Sequence, residues 1–261
     1  MKPVCLHAKE EIELFLRQNT FLHLYELGDL DDFFWQYTTW YALKKHQEIF
    51  ELILLYTGAS MPVLLALTSE PTGLMEELLR SIIHLLPKQF YAHLSGSLAD
   101  VFAQDYQLTK HGVHYKMALT NSSYLESIDT SAVIPLSVSQ RSELEELYGV
   151  SYPGNWFEPR MLETGYYYGL RRGETLVSVA GVHIYSQQYR VAALGNVTTH
   201  PQFRGLRLAT AVCARLCQEL LRQVDHIGLN VLADNRSAIA CYEKLGFEQI
   251  ATYGEYSLEL K

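Results

Sequence analysis

The chain has 261 residues, enough for one large domain or two of about 150 residues or fewer. Hydrophobic residues make up 48%, charged residues 19%, and the net charge is −8. That balance excludes a protein that coats nucleic acid or an anionic membrane, since both need clustered basic residues. It leaves room for one local basic site.

A helix is expected near residues 7–19, and strands near 35–43, 49–56 and 63–67. Residues 49–67 form the longest apolar region. Glu51, Thr57-Gly58-Ala59-Ser60 and Pro62 interrupt it too often for a bilayer span and predict two strands joined by a turn. Lys2 and Pro3 open a mixed polar stretch, so no signal peptide is expected. After Glu70-Pro71-Thr72-Gly73, the spacing of Leu74, Leu78, Ile82 and Leu85 predicts a helix stopped by Pro87. A strand at 90–94 follows, then a second helix near Ser97, capped by Ser97 with Asp100. Val113, Tyr115, Met117 and Leu119 alternate as a half-buried strand. Residues 120–135 are rich in Ser, Thr, Asn and Asp and mark the expected domain boundary, giving domains 1–130 and 131–261.

The second half repeats this order of elements. Helices are expected between Ser137 and Glu163, and strands at 166–170, 175–185 and 189–199. A long helix at 205–222, a strand at 228–232 and a helix at 236–245 follow. A last pair of strands is expected to turn at Gly254. Cys5, Cys213, Cys217 and Cys241 show no CxxC pair and no zinc spacing. Cys213 and Cys217 fall one helical turn apart in an apolar stripe, as core thiols of a reducing cytoplasm would. His111 and His114 are poorly spaced for a shared metal face, and no metal site is expected.

The informative stretch is Asn196-Val197-Thr198-Thr199-His200-Pro201-Gln202-Phe203-Arg204-Gly205-Leu206-Arg207-Leu208-Ala209-Thr210. An apolar strand ends at Thr199, and a short basic turn runs straight into a helix with Val212, Leu216 and Leu220 inward. Such a junction aims free backbone N–H groups and the positive end of the helix dipole at one spot. Arg204 and Arg207 add charge, and Gly205 permits backbone angles that a side chain resists. A pyrophosphate fits that chemistry. Residues 235–247 form a second cluster, a complete short helix with Asn235 as N-cap and Gly246 as stop. Asn235 and Tyr242 lie nearly on one face at about 3.6 residues per turn.

These residues resemble the GNAT superfamily of acyl-CoA-dependent N-acyltransferases, from about Leu136 onward and most closely over 195–247. Arg204-Gly205-Leu206-Arg207-Leu208-Ala209 matches the family's pyrophosphate loop, Q/R-x-x-G-x-G/A, with Arg207 where glycine is usual. Residues 235–247 match its second signature. The resemblance implies an α/β (α+β) GNAT fold with a mixed, splayed sheet in the second half. The first half would be a degenerate GNAT-like copy, since its comparable stretch, 67–74, has no arginine turn.

It also implies transfer of an acetyl group from acetyl-CoA to a primary amine of a small molecule, amino acid or peptide, through a tetrahedral intermediate. Residues implied to hold acetyl-CoA are Val197, Thr198, Thr199, Arg204, Gly205, Leu206, Arg207, Leu208, Ala209, Thr210, Asn230, Asn235, Ala238 and Tyr242. A backbone N–H of the 197–199 strand would face the thioester oxygen, and Tyr242 would be the general acid. Residues 189–199 contain no Asp, Glu or His, which leaves Glu158, Glu163, His183 or a bound water chain as base; the resemblance favours Glu158, because residues 152–158 lie where members of the family line the acceptor pocket. Trp156, His183 and Tyr167, the last from the run Tyr166-Tyr167-Tyr168, are expected on the acceptor side. No nucleic-acid or membrane partner is implied, and both a monomer and a homodimer stay open. A longer acyl-CoA, an amino-acid acceptor, or a CoA-binding regulatory protein without turnover are the alternatives. Arg207 and the missing strand base favour the last.

Overall fold

The computed structural model describes residues 1–261 and divides into two compact units. The first unit comprises Met1–Lys116, Leu232–Asp234 and Ile250–Lys261; the second comprises Met117–Val231 and Asn235–Gln249.

In the first unit β1 (Lys2–Leu6) leads into α1 (Lys9–Leu16), α2 (Leu24–Asp29) and α3 (Asp32–Trp35). Next come β2 (Thr38–Lys45), β3 (Glu48–Tyr56), β4 (Val63–Ala66), α4 (Gly73–Ile82) and β5 (Gln89–Ser95). β6 (Tyr106–Leu119) carries the chain out of the unit after Lys116. Strands β1 to β4 pair antiparallel in sequence order, and β4 pairs parallel with β5. The apolar stripe of α4 (Met75, Leu78, Leu79, Ile82) buries against Leu43, Ile53, Leu64, Phe90, Ala92 and Leu94. At a strand period of two, the alternate residues Tyr91 and His93 must face the other side of β5.

In the second unit β7 (Ile134–Pro135), α5 (Arg141–Ser151), β8 (Tyr168–Arg172), β9 (Thr175–Ser186) and β10 (Val191–Thr199) precede α6 (Leu208–Leu220). β11 (His226–Leu232), α7 (Arg236–Lys244) and β12 (Phe247–Leu260) complete the chain. Strands β7 to β10 pair antiparallel in order, and β10 pairs parallel with β11. Val212, Cys213, Leu216, Cys217 and Leu220 form the buried stripe of α6, each 0% exposed.

The units part after Lys116, earlier than the expected 130/131 boundary, and Ile250–Lys261 of β12 belongs to the first unit. There β12 runs antiparallel to β5, from Tyr253↔Ser95 to Glu259↔Gln89. The polar composition of 120–135 marks a surface segment, whereas unit membership follows long-range strand pairing that composition does not encode. Gly254 is no turn: it lies inside β12 opposite Leu94, and a Cβ there would come within 2.6 Å of the Tyr256 ring. Its role is to make room for that ring. The helix expected near Ser97 is a single 3-10 stretch, Leu98–Phe102, with no side-chain cap from Ser97. The short α2 and α3 were missed because neither is long enough to display a helical period.

Candidate active site

The site is built where two parallel strands separate. β10 and β11 pair only from Val191↔His226 to Leu194↔Leu229, although β10 continues to Thr199. On its other edge β10 is bulged. Gly195 faces Gly181 and Thr198 faces Val179, so Asn196 and Val197 together oppose the single residue Ala180. Such a bulge leaves an extra residue without a ladder partner and re-aims its peptide groups. Asn196 is left-handed, at φ 54°. Just below, Thr198 Oγ1 donates to Ser151 Oγ at 3.0 Å, and Thr199 Oγ1 lies 2.8 Å from Ser178 Oγ.

The turn after β10 is fixed by backbone conformation. Gly205 has φ 80°, and Arg207, the N-cap residue of α6, has φ 60° and ψ 21°. Arg207 therefore keeps the left-handed geometry that glycine normally supplies, at a cost of about 1 kcal/mol for an ordinary side chain. A Cβ on Gly205 would meet nothing within 4 Å, so glycine there serves conformation, not space within the protein. The first amide to bond back into the helix is that of Ala211, to Arg207 O at 3.2 Å. The N–H groups of residues 205–210, which include Leu206, Leu208, Ala209 and Thr210, precede it and make no backbone hydrogen bond. Arg204 ties the turn down: Nε donates to Thr199 O at 3.2 Å and Nη2 to Ser151 O at 3.3 Å. Arg207 stays exposed.

The second cluster lies on α7 and β11. Asn235 caps α7, its Oδ1 accepting from Ala238 N at 3.2 Å and from Ser237 Oγ at 3.0 Å. Its carboxamide oxygen is thus committed to the helix start. Tyr242 is 8% exposed, with its ring centroid 5.9 Å from that of Phe247. Thr210 Oγ1 lies 3.3 Å from Cys241 Sγ and joins α6 to α7. Asn230, on the part of β11 beyond its pairing with β10, has a buried Oδ1 with no protein partner.

Of the residues expected to face an acceptor, Trp156 is 44% exposed, and its carbonyl accepts from Asn196 Nδ2 at 3.3 Å. A cleft of about 250 Å³ is lined by Glu145, Tyr148, Tyr152, Asn155 and Phe157. Tyr167 is not an open wall. Its side chain is 0% exposed, and its hydroxyl accepts from Asn196 Nδ2 at 3.0 Å. The polar network beneath the bulge draws that phenol inward, where burial raises its pKa. His183 lies under Gly195, whose absent Cβ leaves space for the ring. Glu158 forms an ion pair with Arg160 at 2.6 Å, and Glu163 is exposed. Sequence reasoning missed Asn196 and Tyr148 as site residues. Tyr148 donates to Asn196 O at 3.0 Å, and burial holds its pKa well above normal.

The profile of the acetyltransferase (GNAT) family matches residues 134–247. Residues 134–247 are a GNAT acetyltransferase domain. The family's chemistry is acyl transfer from an acyl-CoA. No curated protein sequence matches at a significant level. A Drosophila protein of known structure superposes with TM-score 0.72 at 10% identity, covering 99% of this chain and 97% of its own. A GNAT-family acetyltransferase from Colwellia psychrerythraea gives 0.57 at 13% identity, covering 100% of both chains. A tandem GNAT protein from the clavulanic acid biosynthesis pathway gives 0.56 at 13% identity, covering 98% of both. At these identities the likeness is one of fold, and it extends over both units. The chain has the tandem GNAT fold, with the family's sequence signature confined to the second half. No helix is long and apolar enough to cross a membrane.

Proposed function

We propose that the second unit is an N-acetyltransferase that moves an acetyl group from acetyl-CoA to a primary amine. The observation that carries this reading is the turn at 204–207. Left-handed Gly205 and Arg207, the exposed Arg207 guanidinium and the uncommitted amides of 205–210 lie at the start of α6, with Arg204 bracing the turn through Thr199 O and Ser151 O. A pyrophosphate needs that donor set, and the residues present fit it. Ala209 keeps the first turn small enough for close approach. Asn230 Oδ1, buried without a protein partner, offers an acceptor to an amide N–H of the pantetheine arm. Asn235 contributes by fixing the start of α7, with Ala238 in its first turn.

Acetyl-CoA supplies the activated thioester. A backbone N–H of residues 197–199 faces the carbonyl oxygen as negative charge develops there. Tyr242 donates a proton to the departing thiolate. Glu158 is the base we favour; its ion pair with Arg160 must open for it to take the amine's proton. His183 is the second choice. Trp156, 44% exposed, lines the acceptor side. The free, buried thiols of Cys213 and Cys217 suit a reducing compartment such as the cytoplasm.

Thiol release during incubation with acetyl-CoA and a panel of amines, amino acids and peptides tests the proposal, with longer acyl-CoAs as a second arm. Acetyl-CoA raises the melting temperature of the wild-type protein. Tyr242→Phe keeps that shift and lowers kcat by about 100-fold or more, within the usual range for a general acid. Absence of any shift excludes the CoA site. A shift without thiol release across the panel makes the protein a CoA-binding regulator instead.

A further inference from the structure

We propose that Asn196 is a positioning residue for acyl transfer, clamped by the phenols of Tyr148 and Tyr167 so that the bulge in β10 presents the Val197 N–H in one direction. The inference rests on the acyl-transfer reading above.

Asn196 joins groups that are distant in sequence. Its carbonyl accepts from Tyr148 of α5 at 3.0 Å. Its Nδ2 donates to the Tyr167 hydroxyl, just before β8, at 3.0 Å, and to the Trp156 carbonyl at 3.3 Å. Tyr167 in turn donates to Val182 O of β9 at 3.4 Å. Burial raises the pKa of both phenols, so they stay neutral and keep their protons for hydrogen bonding. Asn196 itself is 3% exposed. Three elements of the second unit therefore converge on one side chain and its own carbonyl.

That degree of restraint has a physical purpose. A left-handed residue inside a strand turns the next peptide plane away from the regular ladder direction, and the next peptide here carries the Val197 N–H. The bulge lies where β10 has no further pairing with β11. The left-handed conformation costs about 1 kcal/mol and would relax toward extended without ties to hold it. A donor facing a developing oxyanion is effective only when held to within a few tenths of an ångström. The bond to Trp156 adds a second consequence. The segment that lines the acceptor cleft and the strand that carries the donor are set by the same carboxamide.

Four variants separate this role from simple packing. Asn196→Ala loses both the carboxamide and an easy left-handed conformation, whereas Asn196→Gly keeps the conformation and the carbonyl bond from Tyr148 and loses the carboxamide ties to Tyr167 and Trp156. Tyr167→Phe and Tyr148→Phe each remove one hydroxyl and keep the ring. Steady-state thiol release gives kcat and KM, and the acetyl-CoA thermal shift checks the CoA site separately. We expect kcat to fall on the order of 100-fold in Asn196→Ala, as for loss of one oxyanion donor, and about 5- to 10-fold in each phenylalanine variant. Asn196→Gly falls between. KM for acetyl-CoA stays within about threefold and the thermal shift is retained, because the pyrophosphate contacts are untouched. Tyr167→Phe carries the test if Asn196→Ala does not fold. Wild-type kcat in folded Asn196→Ala or Tyr167→Phe overturns the proposal while leaving acyl transfer standing. So does a KM for acetyl-CoA that rises in step with the fall in kcat. A wild-type protein that binds acetyl-CoA and releases no thiol removes acyl transfer, and this role with it.

Discussion

The two units start their sites alike and finish them differently. In the first, β4 pairs parallel with β5 from Val63↔Tyr91 to Ala66↔Leu94; in the second, β10 pairs parallel with β11 from Val191↔His226 to Leu194↔Leu229. Beyond that point the first strand stops at Ala66, and the chain turns through a cis Glu70–Pro71 bond into α4. Glu76 stands in the first turn of α4, accepting from Thr72 Oγ1 at 3.1 Å. In the second unit the strand runs on through a bulge to Thr199, and two arginines and two left-handed residues precede α6. A helix start attracts negative charge in either case. The first unit places a carboxylate there, whereas the second has no acidic residue in the first turn of α6 and leaves the amides of 205–210 without backbone partners.

The first unit carries a buried charged cluster on the sheet face away from α4. Lys116, 2% exposed, lies over the rings of Tyr25 at 4.8 Å and Tyr253 at 5.8 Å. His93 and His114 flank Glu255, each with Nε2 3.5 Å from one carboxylate oxygen, while Tyr253 and Tyr91 donate to the same group. Burial lowers the pKa of His93 to about 4, against the pull of Glu255. On the α4 side, in phase with Leu43 and Ile53, burial instead raises that of Glu51, which accepts from Thr68, to about 7.

The largest expected effect follows from those two groups and concerns the first unit alone. Between pH 6.5 and 4 the unfolded chain protonates His93 while the folded one resists, so this residue removes up to about 3 kcal/mol of stability as pH falls. Glu51 acts with the opposite sign. Its folded form keeps a proton up to about pH 7, so its contribution declines as pH rises from about 4.5. Melting temperature followed across this range should lose acid sensitivity in His93→Gln and gain it in Glu51→Gln. Parallel curves for all three proteins would refute the assignment.

A comparable effect comes from giving the second unit the device of the first. Ala209→Glu puts a carboxylate in the first turn of α6, and affinity for acetyl-CoA should fall on the order of 100-fold. Calorimetry would read this directly, and undiminished affinity would show that α6 does not hold the pyrophosphate. Next is Asn235→Ala, which deletes the cap of α7 and should cost about 1 kcal/mol, read as a lower melting temperature. Smallest is Arg207→Gly. It preserves the backbone and removes an exposed charge, so affinity should drop only a few-fold, in line with about 0.2–1 kcal/mol for an exposed ion pair. A much larger loss would mean that Arg207 grips a phosphate directly.

The fold of the second unit and the local structure of the turn at 204–207 were legible because they rest on local chemistry. The apolar stripe of α6, the glycine and arginines before it and the cap at Asn235 are each short-range features with their own physical cause. Tyr167 was misread because a strand position tells only which face a ring takes, not whether a buried amide waits beneath it. Asn196 gave no signal, since its importance comes from a positive φ and from partners at 148, 156 and 167.

By itself, then, the sequence determined that residues 195–247 present a strand, a basic turn and a capped helix. Spacing and residue type suffice for that, because helix periodicity and backbone donors are properties of neighbouring residues. Only the tertiary structure decided that β12 returns to the first unit, that Arg207 is left-handed, and that two distant phenols converge on Asn196. Each of those depends on groups far apart in the chain, whose meeting is set by packing and buried hydrogen bonds.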